Sequence, residues 1–273
     1  MAVKLTWLYT NAAEPRARSL MKRVAGLCLG MWLASAVVST VSADTVKSKF
    51  GPDAVPLPQA VDYLRQHEAP DYWALSVYYV PQATSSACSV ASIAMVINAL
   101  RGLPSEATEA LVTQAALLEK LGNDVWRQQT VEDGAGVTVA ELVEALRTSL
   151  QAYGLGDVQI EEFHPDDGSP ETLERVRHLL SVNERSSQDI VLAYFNQGVL
   201  TGDWDGPHIS PIGAYDARRH QVLIFDVDRQ WYVPYWSGDD KLLAALLRPA
   251  PAEHGVLAGQ TGTLIRVHRA RKP

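Results

Sequence analysis

Cys88 is one of two cysteines in a chain of 273 residues, and the other, Cys28, lies inside an uncharged apolar run from Val24 to Ala43. From Cys88 onward, Val90, Ile93, Ala94, Ile97 and Leu100 recur at three- and four-residue spacing, and Arg101-Gly102 supplies an end signal. That pattern predicts a largely buried helix with Cys88 in its first turn. Unpaired amides and the positive dipole end of a helix favour negative charge there, which suits a nucleophilic sulfur. Gln82 stands six residues earlier in QATSSACSV. Its amide and the Cys88 backbone N–H could together hold the oxygen of a tetrahedral intermediate. A buried structural cysteine is the competing reading, so partners have to be found.

They lie downstream. DIVLAYFN, residues 189–196, reads as a strand, followed by a Gly-rich loop QGVLTGDWDG. His208-Ile-Ser-Pro-Ile-Gly-Ala-Tyr and Gln221-Val-Leu-Ile-Phe-Asp-Val then read as two strands around an Asp-Ala-Arg-Arg turn, a hairpin signal. Such a hairpin brings His208 and Asp226 close across it, although register is not readable from sequence. Of seven histidines, His208 is the one placed before a strand after a Gly-rich loop. A histidine beside a thiol serves as base and then acid, and an aspartate on its other nitrogen fixes tautomer and orientation.

The elements that must carry these groups segregate along the chain. Helices are expected over 105–121 from Ser105, after Thr138 with Glu141 as a capping box, and over 170–181 and 239–248; TLIRVHR, 263–269, reads as a last strand. Helices dominate the first half and strands the second. This predicts an α+β fold in which a helix presents the thiol to a sheet, with the site in the cleft between them.

The run Val24–Ala43 follows Lys22-Arg23 and ends in Val-Ser-Ala, the pattern of a secretory signal cleaved after Ala43, with Met21 as an alternative start. An uncleaved membrane anchor over 24–43 is the alternative. Cleavage predicts a periplasmic or secreted protein, a single domain over 44–273 and no stable membrane association. It removes Lys4, Arg16, Arg18, Lys22 and Arg23 with Glu14, taking the formal net charge from −7 to −11. An acidic surface argues against nucleic acid as a partner, because phosphate neutralisation needs a basic one. With Cys28 removed, neither an internal disulfide nor a thiolate metal cluster is available, and His67, His164, His178, His220, His254 and His268 are scattered. No metal site and no tightly bound cofactor is therefore expected.

The Gln82–Cys88 spacing is that of the oxyanion-hole glutamine and nucleophile in papain-like cysteine peptidases. Four ordered segments, QATSSACSVASIAMVINAL, GVTVAELVEAL, GPHISPIGAY and DVDRQWYVPYW, resemble the catalytic domain of phytochelatin synthases, papain-like enzymes that act on glutathione, over roughly residues 70–250. The resemblance implies a papain-like fold, with a helical lobe carrying the nucleophile helix packed on an antiparallel sheet lobe. It implies Cys88, His208 and Asp226 as the triad, Gln82 as the oxyanion donor, and Arg229 as the arginine of the aspartate motif and a substrate-binding residue. It implies attack on the Cys–Gly bond of glutathione and transfer of the γ-Glu-Cys group to water or a second glutathione. Thiophilic metals would then enter as thiolates of the substrate, alongside S-conjugates. The sequence departs from the family at Ser89, at Pro207 before the histidine, and at Gln197-Gly198, where many members carry basic residues. The absence of a Cys-rich tail and the expected export lean toward hydrolysis. Two other readings stand beside this one: a peptidase of the bacteriocin-processing type, whose Gln…Cys helix is similar, and a non-catalytic periplasmic binding protein on the same scaffold.

Overall fold

The computed structural model describes residues 49–102 and 111–269. The expected targeting segment 1–43 and residues 105–110 of the first expected helix lie outside them. In chain order the elements are β1 (Val55–Pro56), α1 (Asp62–Gln66), α2 (Pro70–Ser76), α3 (Cys88–Arg101), α4 (Gln114–Leu121), α5 (Asp124–Gln129), α6 (Val139–Ala152) and β2 (Val158–Phe163). There follow α7 (Pro170–Asn183), β3 (Asp189–Asn196), α8 (Gln197–Thr201), β4 (Pro207–Asp216), β5 (Gln221–Ile224), β6 (Tyr235–Gly238), α9 (Asp239–Leu247) and β7 (Thr263–Arg269).

The strands form one sheet in the order β1-β6-β5-β4-β3-β7-β2, with every pairing antiparallel. β3 is buried at all eight positions, which explains its continuous apolar run in place of alternation. Successive side chains on a strand point to opposite faces. Accordingly Ile190, Leu192 and Tyr194 pack in one core with Val90, Ile93 and Ile97 of α3 and Leu142 and Leu146 of α6. Val191, Ala193 and Phe195 pack in another with Val176 and Leu180 of α7 and Leu242 and Leu246 of α9. The architecture is α+β as expected, with the nucleophile helix on one face of an antiparallel sheet. α7 and α9 cover the other face of the sheet.

Local chemistry sets the helix ends. Thr138 Oγ1 accepts from the Glu141 amide at 3.2 Å and Glu141 Oε2 accepts from the Thr138 amide at 2.8 Å, the reciprocal capping box expected at the start of α6. Ser169 caps α7 ahead of Pro170, its hydroxyl accepting from the Thr172 amide at 3.2 Å. Thr113 caps α4 by accepting from Ala116, so this helix begins at Gln114 and not at Ser105. Asn98 of α3 exchanges two hydrogen bonds with the Val112 backbone, both 2.9 Å, which holds residue 112 outside the helix. The expected Gly-rich loop after β3 is in part helical: residues 197–201 form α8, ended by Gly202 in the left-handed region at φ 72°.

Candidate active site

Cys88 is the first residue of α3, half-buried and unpaired. Its helix is fastened to the sheet one turn later, where Ser92 Oγ donates to the Ile209 carbonyl of β4 at 3.2 Å. Residues four apart share a helix face, so this bond also aims Cys88 at the start of β4. On the other side Trp126 Nε1 of α5 donates to Ser89 Oγ at 3.0 Å, fixing the first turn.

His208 is the second residue of β4, paired with Phe195 of β3. The hairpin closes at the Asp216–Gln221 pair, and its register shifts between Ile212 and Ala214. Gly213 occupies that irregularity, and a Cβ there would run into the Phe225 ring. β5 ends at Ile224, two residues short of Asp226, and the chain continues beside β4 with the Phe225 amide donating to the Pro211 carbonyl at 2.9 Å. That path brings His208 and Asp226 together, 18 positions apart in sequence: His208 Nε2 lies 3.0 Å from Asp226 Oδ1.

Both side chains are buried. The Ser210 hydroxyl also meets His208 Nε2, at 3.0 Å, and accepts from the Val227 amide at 3.3 Å. With Nε2 taken, Nδ1 is the ring nitrogen left for the Cys88 sulfur, which is close enough to act on the His208 charge. Burial alone would lower the His208 pKa; the Asp226 carboxylate and the Cys88 sulfur outweigh it and hold the imidazole well above its ordinary range. Asp226 Oδ1 further accepts from the Asp228 amide at 2.9 Å, and Oδ2 accepts from Gln197 Nε2 at 2.7 Å. Tyr79 donates its hydroxyl to the Asp226 backbone carbonyl.

Gln82 is tied to the same strand end through its amide, which donates to the Val227 carbonyl at 2.8 Å. Its side-chain Nε2 donates to the Ser85 carbonyl at 3.0 Å, while Oε1 is buried without a partner. Gln82, Cys88 and His208 together line a cleft of about 470 Å³. Its walls carry three carboxylates, Asp133, Asp203 and Asp228. Lys49 stands among them, its Nζ 2.8 Å from Asp203 and 4.5 Å from the centre of the Trp231 ring. Burial raises the Asp228 pKa, against the lowering effect of His208. Among the described residues, no three His, Cys, Asp or Glu side chains are grouped so as to hold a metal ion.

The structure thus brings together four of the five residues singled out from sequence. Arg229 is not among them: it is exposed, its guanidinium 5.3 Å from the Tyr79 ring centre, outside the cleft lining. Gln197, Ser210 and Lys49 were missed. Ser210 lies two residues after His208 and faces the same side of β4, a placement that alternation alone could have flagged. Gln197 and Lys49 reach the site through loop and helix geometry that no spacing encodes.

This arrangement can generate a thiolate beside an imidazolium, steady the imidazolium with a buried carboxylate, and offer amide hydrogen to an oxyanion. The profile of the family described as phytochelatin synthase matches residues 59–253. The chain is 26% identical over 185 residues to glutathione gamma-glutamylcysteinyltransferase 3 of Lotus japonicus, covering 64% of this chain and 34% of that protein. It is 25% identical over 207 residues to glutathione gamma-glutamylcysteinyltransferase 1 of Arabidopsis thaliana, covering 67% and 37%. The Schizosaccharomyces pombe glutathione gamma-glutamylcysteinyltransferase is 25% identical over 197 residues, covering 70% and 43%. The chain therefore spans well under half the length of these curated relatives. Among solved structures, the Pseudomonas avirulence protein AvrPphB superposes with a TM-score of 0.35 at 14% identity, over 71% of this chain and 98% of that one.

Proposed function

The chain belongs to the phytochelatin synthase family, and from that premise we propose that it is a thiol acyltransferase or hydrolase acting on the Cys–Gly bond of glutathione. The observation that carries the reading is the buried His208–Asp226 pair set against the half-buried Cys88 at the floor of a cleft. The Cys88 thiolate attacks the cysteinyl carbonyl of glutathione, and the oxyanion is met by the Cys88 amide and the Gln82 side chain. As the C–N bond breaks, the His208 imidazolium gives its proton to the departing glycine amine. A γ-Glu-Cys thioester on Cys88 remains. His208, now neutral, takes a proton from the acceptor as it attacks, and the thioester collapses back to the thiolate.

We favour water as that acceptor, yielding γ-Glu-Cys, over the amine of a second glutathione, which would lengthen the chain. The expected export of the protein accords with a degradative task outside the cytoplasm. Thiophilic metal ions take part only as thiolates of the substrate. Lys49 is the ammonium the cleft offers to a substrate carboxylate, and Asp133 and Asp228 are suited to a substrate amine. The test is mass spectrometry of the products from glutathione with and without a thiophilic metal, paired with N-terminal sequencing of the exported protein. Free glycine and γ-Glu-Cys from a chain starting at Asp44 support the proposal. Dominant γ-Glu-Cys oligomers under metal would move the acceptor to glutathione, and absence of glycine release would overturn the reading.

A further inference from the structure

A carboxylate that supports an imidazolium has to stay ionised and keep one oxygen on the ring. Asp226 is fully buried, so neither condition is met by water. Oδ1 is occupied by His208 Nε2 and the Asp228 amide. Oδ2 depends on a single described donor, Gln197 Nε2 at 2.7 Å. Gln197 is itself fixed at every polar atom. Its amide N–H donates to the Gly206 carbonyl at 2.8 Å, its carbonyl accepts from Thr201 Oγ1 at 3.0 Å, and its Oε1 accepts from the Tyr235 hydroxyl at 3.3 Å. An ionised carboxylate only accepts, so it fixes which end of the glutamine amide faces it, and the Tyr235 hydroxyl satisfies the other end.

We propose that Gln197 is a positioning residue of the thiol site, which locks the Asp226 carboxylate through Oδ2 and thereby holds His208 against Cys88. A neutral donor suits this place. An apolar side chain would leave Oδ2 buried and unpaired. The amide supports the anion while leaving its whole charge to His208. Gln197 opens α8 immediately after β3, so the end of that strand, the short helix and Tyr235 of β6 together set the donor's position.

The inference rests on reading Cys88, His208 and Asp226 as a working unit, and its test is chosen to be independent of the substrate. The rate of Cys88 alkylation by iodoacetamide is measured against pH on the full chain, beside kcat and KM for glycine release from glutathione. Gln197→Met keeps length and bulk and deletes the donor. It is expected to cut kcat about 10-fold or more with KM within about twofold, and to move the onset of alkylation upward by about half a pH unit or more. Gln197→Glu donates to Asp226 only while its carboxyl is protonated, so its deficit should shrink as pH falls from 8 to 6. A Gln197→Met protein with the parental alkylation profile and kcat overturns the proposal. If that variant does not fold by circular dichroism, a pH-independent deficit in Gln197→Glu overturns it instead. Were the parent to release no glycine, the function proposed above would fail while the alkylation profiles still decide the role of Gln197.

Discussion

His208 Nε2 sits 3.0 Å from Asp226 Oδ1 with both side chains buried, and the pair borders the cleft that Cys88 lines. The imidazole is held well above its ordinary pKa: burial acts downward, but the Asp226 carboxylate and the Cys88 sulfur prevail. A folded-state pKa raised above the unfolded value, about 6.5 for histidine, gives a stabilising interaction that is full below that value and lost as pH rises through the folded one. In the proposed mechanism the protonated ring is also the form that assists glycine departure. Glycine release should therefore persist well above pH 6.5 before its alkaline limb. Asp226→Asn should pull that limb toward the ordinary histidine range and lower kcat by about 10²- to 10⁴-fold. An unchanged limb and rate would rule out Asp226 as the orienting group.

Cys88→Ala and Cys88→Ser should both remove glycine release, since a hydroxyl at the start of α3 lacks the nucleophilicity of a thiolate. Combining either with His208→Ala or Asp226→Ala should add little, because groups that act as one unit do not contribute additively. Assays of the single and double variants, with circular dichroism as a folding control, provide the check. Parental turnover in Cys88→Ala would place the chemistry elsewhere.

How much of this was legible in the sequence depends on the range of the interactions involved. The α3 helix and its start at Cys88 follow from apolar spacing, and the capping box at Thr138 and Glu141 is a local signal that the fold honours. β3 was readable because a strand buried on both faces must be continuously apolar. The sequence points to His208 and Asp226 as a pair, yet their meeting depends on the irregularity at Gly213, where a Cβ would run into the Phe225 ring, and on β5 ending before Asp226. β2 was not foreseen: its VQIEEF sequence has one fully buried position, and its place at the sheet edge comes from pairing with β7. Arg229 shows a further limit of a motif. A motif position transfers a residue type, but exposure and the neighbouring Tyr79 ring decide where the guanidinium rests.

Gln82→Ala tests the oxyanion donor. The Gln82 amide lies at the cleft wall with Cys88, anchored through its backbone to Val227, so truncation should leave the local chain path intact. Removal of one oxyanion donor typically costs about 10²- to 10³-fold in kcat with little change in KM, because the bond strengthens only as charge develops. Stopped-assay kinetics with glutathione separate the two constants. A rise in KM at constant kcat would instead assign Gln82 to ground-state binding.

Lys49→Met should show the opposite split. Methionine keeps the aliphatic stem over the Trp231 ring and deletes the charge opposite Asp203. A charge-assisted bond to a substrate carboxylate that is equal in ground and transition states appears in KM, so KM for glutathione should rise about 10-fold with kcat within about twofold. Raising the salt concentration should raise the parental KM and narrow the gap between parent and variant, since screening weakens the same contact. Equal KM values at low salt would remove Lys49 from substrate binding.

The last prediction concerns stability away from the cleft. Glu184, at the end of α7, accepts from the Tyr63 hydroxyl at 3.0 Å and from the Tyr215 amide at 2.7 Å. Burial pushes its carboxyl up to about 7, against the lowering effect of those two donors, and Asp216 adds to the rise. Asp71, fully buried, is raised in the same direction by burial and by Glu184. A carboxyl whose folded pKa exceeds its unfolded value, about 4.3, favours the folded state fully below that value and loses this contribution as pH climbs to about 7. Taken over that window, the Glu184 contribution is of order 3 kcal/mol. Urea midpoints of the parent should therefore fall between pH 5 and 8, and Glu184→Gln, which stays neutral and keeps an acceptor for Tyr63 or Tyr215, should flatten that fall. The residual slope in the variant reports Asp71 together with His208, the other buried groups held above their ordinary pKa. Identical slopes in parent and variant would mean that Glu184 is ionised throughout, and the buried cluster around Tyr63 would need another account.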